Sequence, residues 1–309
     1  MKTYIIHLFL LCCITGISQD LNVTTQELTI NQYIDGTLLV PNAVENPILA
    51  IIIADSGPTD RNGNQNFQKN NALKKLAERL SNENIATFRY DKRIVKQIKR
   101  GHVNPNISFE DFITDATSVI TYFKSQNYYS KIVVIGHGQG SLVGLAASKE
   151  GADQFISLAG SGKPIDQVII DQITQMDPAL VKDTKQAFEI LKEGKTTKNY
   201  PKALSGIFSP DLQPFMMSWM RYNPQELIAD LDIPVLIVNG TKDLQVSTSE
   251  AELLQSKSSN ADLKLIDNMN HVLFIIEGKE LENSKSYNES FRSISDELIN
   301  ELVRFIKDE

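Results

Sequence analysis

Cysteine is nearly missing from this chain of 309 residues: the only two, Cys12 and Cys13, are adjacent and lie near its start. If that segment is removed on export, the remainder has neither a disulfide nor a thiol nucleophile. Excess positive charge is missing too. With 31 basic against 38 acidic residues the net charge is −7, which argues against nucleic acid as a partner. The one locally basic stretch, "KRIVKQIKR" (92–100), reads as a solvated loop or helix face. Beyond the N-terminus no run is long and apolar enough to cross a bilayer, so no stable membrane span is expected. No internal repeat or low-complexity linker divides the chain. The glycines at 136–140 lack both a following Lys-Ser/Thr pair and dinucleotide-type spacing, which disfavours a phosphate loop. Neither a metal nor a cofactor is expected.

The N-terminus reads as an export signal. Lys2 gives a positive start, and "YIIHLFLLCCITG" (4–16) is an apolar run too short to span a membrane comfortably. Small and polar residues in "ISQD" (17–20) place cleavage just before Asp20, so residues 1–19 are expected to be removed and the protein to be periplasmic or secreted. A lipid anchor on Cys12 is the weaker alternative, because bulky Leu11 precedes it.

Strand and helix patterns then alternate. "ELTI" and "YIDGTLLVP" read as strands, the second opened by an Asp-Gly turn. "PILAIIIA" (47–54) is continuously apolar, as in a strand buried on both faces of a parallel sheet. Leu73, Leu76, Ala77 and Leu80 recur at helical spacing, as do Phe109, Phe112, Ile113, Ala116, Val119, Ile120 and Phe123. "IATFRY", "KIVVIG", "QFISLAG", "PVLIVNG" and "LKLID" supply further strands, and an amphipathic helix carrying Leu298, Leu302 and Phe305 closes the chain. This order predicts an α/β fold with a mostly parallel central sheet flanked by helices. One domain over 20–309 is expected, interrupted by a helical insertion at about 163–230. That insertion either roofs a site, with Met216, Met217, Trp219 and Met220 lining it, or is a helical pair packed for its own sake.

The stretch "VVIGHGQGSLVG" (133–144) has the strand–turn–helix setting of a nucleophile elbow, Gly-x-Ser-x-Gly. Gly136 and Gly140 hold its outer positions, but the centre is Gly138. Downstream, "PVLIVNGTKDLQV" places Asp243 just beyond one strand and "LKLIDNMNHVLF" places His271 beyond the next. A histidine that reaches the elbow can act as base, and a carboxylate can hold its ring in the required tautomer. Elbow, acid and histidine in this order, each at a strand end, identify a catalytic constellation whose nucleophile is absent.

Six segments, "DGTLLVP", "ADSGPTDRNGN", "FRYDKR", "GHGQGS", "NGTKDLQV" and "NMNHVLF", occur in an order that resembles the α/β-hydrolase superfamily, and within it bacterial serine esterases. The resemblance implies an α/β-hydrolase fold with a helical cap and a catalytic set of Gly138 (the nucleophile position), Asp243 and His271. It also implies an oxyanion hole from the backbone N–H of Gln139 and one from Ser56 or Gly57, and a small-molecule acyl ester as substrate. "RIVKQ" (93–97) departs from the glycine-rich turn usual there. Asp60, Arg61, Arg89, Asp91 and Arg93 read as braces of their loops, His137 as a packing residue, and Ser141 as pointing away from the site.

With Gly138 the covalent serine route is lost or greatly reduced. Three readings remain: an ordinary esterase carrying a serine-to-glycine change, a non-catalytic binding protein, and a hydrolase in which His271 activates water. Retention of Asp243 and His271 favours the first. On that reading Gly138→Ser alone is expected to restore an esterase.

Overall fold

The apolar run at 47–54 forms a strand near the middle of an eight-stranded sheet in a computed structural model that describes residues 22–308. The export signal expected at 1–19, its cleavage point near Asp20, and both cysteines lie outside the described residues. In chain order the strands are β1 (Val23–Asn31), β2 (Ile34–Pro41), β3 (Ile48–Ile53), β4 (Ala86–Tyr90), β5 (Lys131–His137), β6 (Gln154–Leu158), β7 (Val235–Gly240) and β8 (Ala261–Ile266). Their order across the sheet is β1-β2-β4-β3-β5-β6-β7-β8. From β4 to β8 every pairing is parallel, and β1 and β2 add an antiparallel edge. No helix among the described residues is long and apolar enough to cross a membrane.

Why β3 is apolar throughout follows from its two faces. Ala50 and Ile52 point to one side, against Leu73, Leu76, Ala77 and Leu80 of the helix Ala72–Asn82 and Leu298, Leu302 and Ile306 of the helix Asp296–Lys307. Leu49, Ile51 and Ile53 point to the other, against Phe109, Ala116, Val119, Ile120 and Phe123 of the helix Phe109–Ser125. The period-two alternation of the strand therefore feeds two separate cores, each closed by helices whose apolar stripe recurs at three and four residues.

Between β6 and β7 lie the helices Ile165–Met176, Val181–Lys192, Ser205–Phe208, Gln213–Trp219 and Pro224–Ala229. They carry a small core of their own, built on Ala187, Phe188, Leu191, Leu204, Phe208 and Met216. Trp219 ties this layer to the main domain by stacking on Phe109, with ring centroids 5.4 Å apart and planes within 6°.

Two local expectations need correction. Asp35 and Gly36 do not open β2 as a turn: they lie inside it, and residues 32 and 33 make the turn. Gly36 is required by a close approach, since a Cβ there would come within 2.2 Å of the Phe88 ring. The basic stretch 92–100 is a solvated face only at its end, residues 98–100. It forms the helix Arg93–Lys99, and Lys92, Arg93 and Lys96 are all buried. Arg93 forks onto both carboxylate oxygens of Asp115 at 2.7 Å each and reaches Asp111 at 2.6 Å. Lys96 meets Asp35 at 2.7 Å. Arg93 and Lys96 pair with acids of other segments, of which Asp115 is buried, and the basic run alone does not reveal this.

Replacing Arg93 by methionine would leave Asp115 buried without its partner. The expected loss is about 3–5 kcal/mol of folding stability, measured as a fall in the urea midpoint. An unchanged midpoint would mean that the pair does not hold this helix in place.

Candidate active site

The carboxyl ends of the parallel strands gather the chemistry, as the topology of open α/β sheets dictates. Asp55 follows β3, Gly138 ends the turn after β5, Asp243 follows β7, and His271 lies beyond β8. Gly138 adopts φ 53°, ψ −118° between β5 and the helix Gln139–Ala147, a conformation that glycine takes with little strain. Its neighbours Gly136 and Gly140 pass too close to the crossing backbone to carry side chains. The turn therefore has the shape of an elbow, with no side chain at its centre.

His271 Nδ1 lies 2.8 Å from Asp243 Oδ2, the acid–histidine contact expected from sequence. The other ring nitrogen, Nε2, does not face an empty space. It lies 3.1 Å from Oδ2 of Asp55, whose Oδ1 accepts the backbone N–H of Gln139 at 2.8 Å. A Cβ added at Gly138 would sit 1.9 Å from that same Oδ1. Asp55 thus occupies the room that a side chain at 138 would need and engages the N–H expected to serve an oxyanion. Among the described residues this is the functional group that sequence reasoning missed, although Asp55 was visible as an acid at a strand end.

The charge states follow from this placement. Burial alone would raise the Asp55 carboxyl, but its hydrogen bond to His271, the charge of that ring and the Gln139 N–H hold it well below the usual carboxylate range. Burial likewise disfavours the imidazolium of His271, yet Asp243 and Asp55 together push the ring up to about 10. At neutral pH His271 is therefore a cation between two carboxylates. In that state it can give a proton and cannot take one. The reading in which it activates water directly is disfavoured while Asp55 stays charged.

The supporting residues are also buried. Lys92 Nζ donates to the Asp55 backbone O at 2.8 Å and to Gln139 Oε1 at 2.7 Å, which pins the loop after β3 to the elbow. Burial lowers its ammonium to about 8, against the opposing pull of Asp55. His137 packs behind the site with Nε2 2.8 Å from the His271 carbonyl O, and Ser141 Oγ pairs with Ser157 at 2.6 Å, away from the elbow. Arg61 links Asp91 to Glu27, and Asp60 caps its own loop through the N–H groups of Asn62 and Asn64. Ligand-type atoms of Asp55, His137 and His271 lie within 4.8 Å of one another. A metal there would have to displace the hydrogen bonds just described, so this donor set fits an ion pair better than a cation.

Above the elbow is a cavity of about 120 Å³ lined by Asp55, Ser56, Gly138, Leu142 and His271, among others. A larger groove of about 500 Å³ adjoins it, with Gln139 and Trp219 as shared walls and Gly57, Phe112, Leu212 and Phe215 among its lining. Of the four cap residues expected to line a pocket, Trp219 does so. Met216, Met217 and Met220 pack instead into the cap's own core, where long flexible side chains fill gaps between short helices.

His271 has a folded-state value of about 10, above its ordinary 6.5, so its contribution to stability is fully present below about pH 6.5. That contribution is lost as pH rises toward 10. Denaturant midpoints are expected to decline over this window, and an Asp55→Asn variant, with one carboxylate fewer on the ring, to show a shallower decline. Equal slopes in the two proteins would refute the paired-imidazolium assignment.

No protein-family model matches the chain. In sequence it is 26% identical over 262 residues to Esterase EstD of Thermotoga maritima; the match covers 82% of this chain and 61% of that protein, so it spans under two thirds of the relative. In structure it resembles Est1E of Butyrivibrio proteoclasticus, with a TM-score of 0.57 and 15% identity over 92% of this chain and 99% of the other. An esterase of Pyrococcus furiosus aligns with a TM-score of 0.56 and 13% identity over 95% of this chain and 94% of the other. With its eight-stranded sheet, its elbow and its acid–histidine pair at the strand ends, the chain has the α/β-hydrolase fold and is esterase-like in its resemblances.

Proposed function

We propose that the chain descends from, and retains most of the machinery of, a hydrolase of small-molecule carboxylic esters. The observation that carries this reading is the 2.8 Å contact between Asp243 and His271 beside a turn with elbow geometry. With a serine at 138, His271 would take the hydroxyl proton, Asp243 would orient the ring, and an acyl-enzyme would form and hydrolyse. Gly138 closes that route. Loss of the serine from a comparable triad costs about six orders of magnitude in turnover, so the native chain should hydrolyse esters very poorly and take no label from fluorophosphonates. A second reading, an acyl-binding protein without turnover, draws support from Asp55, whose carboxylate sits on the Gln139 N–H as a bound product acid would. Export of the chain after cleavage near Asp20 belongs to the same proposal. It is tested by the N-terminal mass of the exported protein, which an intact Met1 would contradict.

In the single variant Gly138→Ser the new Cβ would come within 1.9 Å of Asp55 Oδ1, so the carboxylate must move to admit it. We expect that single variant to be inert or unstable, and the double variant Asp55→Ala, Gly138→Ser to hydrolyse para-nitrophenyl butyrate. A gain of roughly a hundredfold or more over the native chain is expected, given the cost of a missing nucleophile. His271→Ala in the double background should remove most of it. A folded double variant that stays inert would sink the esterase reading and leave the binding protein.

A further inference from the structure

We propose that the chain as it stands binds apolar alcohols, and that Asp55 selects them over the corresponding acids and ethers. This goes beyond both readings above, because the ligand it assigns is neither an ester nor an acyl group, and binding involves no chemical step.

The selection follows from the donors and acceptors at the elbow. In the arrangement expected from sequence, the Gln139 N–H and the outer ring nitrogen of His271 face a ligand. Here both face Asp55 instead: its Oδ1 accepts the N–H at 2.8 Å, and its Oδ2 lies 3.1 Å from Nε2. Both donors are thereby occupied, and what the cavity meets in their place is a carboxylate. An ionised carboxylate accepts about four hydrogen bonds and donates none. Its side chain remains 12% exposed and borders the cavity above the elbow. The lone pairs left over on that side call for a group that donates.

A carboxylate ligand fits this place worst, since two like charges would meet in a confined space of low dielectric. Lys163, also on the lining, does not offset the repulsion. Its ammonium is already held between Asp171 and Glu250, at 2.8 Å from each. An ether or ester oxygen only accepts, so it would face Asp55 with no proton between them. A hydroxyl supplies that proton. Gln172 and Gln245 border the same cavity, but an amide both donates and accepts, so they do not discriminate.

The body of the ligand is apolar because the walls are. Leu142, Val168 and Trp219 border the cavity of about 120 Å³ in which Asp55 stands. The groove of about 500 Å³ that shares Trp219 adds Phe112, Leu212 and Phe215. A hydroxyl acceptor at the inner end of an apolar slot suits a straight chain of several carbons ending in a primary hydroxyl.

Trp219 is the only tryptophan of the chain and borders both spaces, so its fluorescence reports their occupancy. The native protein is titrated at neutral pH with 1-octanol, octanoate and octyl methyl ether, which keeps the oxygen of octanol without its hydrogen. Octanol is expected to saturate the signal, and the other two to bind about tenfold or more weakly, the worth of a hydrogen bond to a charged acceptor. Asp55→Ala frees the Gln139 N–H and His271, so octanoate should gain about tenfold or more there and overtake octanol. Ether or octanoate binding the native protein as tightly as octanol, no saturable response to octanol, or a folded Asp55→Ala protein that still prefers octanol would each overturn the proposal. Should Asp55→Ala fail to fold, the comparison of octanol with its ether in the native protein still decides. Hydrolysis by the double variant Asp55→Ala, Gly138→Ser is read separately: activity there without octanol binding to the native chain overturns this proposal and leaves the esterase reading standing.

Discussion

One imidazole held between two carboxylates governs this site. His271 receives Asp243 on one nitrogen and Asp55 on the other, and is 2% exposed. Several neighbours at the strand ends support that arrangement. Gly138 leaves the space that the Asp55 carboxylate occupies. Lys92 is buried to fix the backbone from which Asp55 projects. Lys92 stands at the entry of the helix Arg93–Lys99. Remove one carboxylate and the ring's proton, the role of the elbow and the reason for the buried lysine all change together.

The fold was largely legible in the sequence, because its signals are ones of period. Continuous apolar runs marked strands buried on both faces, and three–four spacings marked the helices that cover them. Order along the chain and the positions of Asp243 and His271 at strand ends were read from the same patterns. What escaped was set by contacts between segments distant in sequence. Nothing local in "YIDGTLLVP" says that Gly36 lies under the Phe88 ring rather than in a turn. Nothing in "KRIVKQIKR" announces acids at Asp111 and Asp115, which come from another helix.

Asp55 is the instructive omission. It lies within "ADSGPTDRNGN", where the resemblance points to the backbone N–H of Ser56 or Gly57 and not to a side chain. Its importance rests on a distance to Gly138, 83 residues away along the chain (138 − 55), and only the folded sheet brings the two together. The cap shows the same limit in milder form. Its methionines looked like a lining, whereas the short helices first had to build a core for themselves, leaving Trp219 to face the site.

The close approach of Asp55 to position 138 ties size at one residue to charge at another. A side chain at 138 would need the Asp55 carboxylate to turn out of the place it holds, and in turning it would give up both the Gln139 N–H and His271. Bulk added at the turn would thus be felt first as a loss of hydrogen bonds on the neighbouring loop.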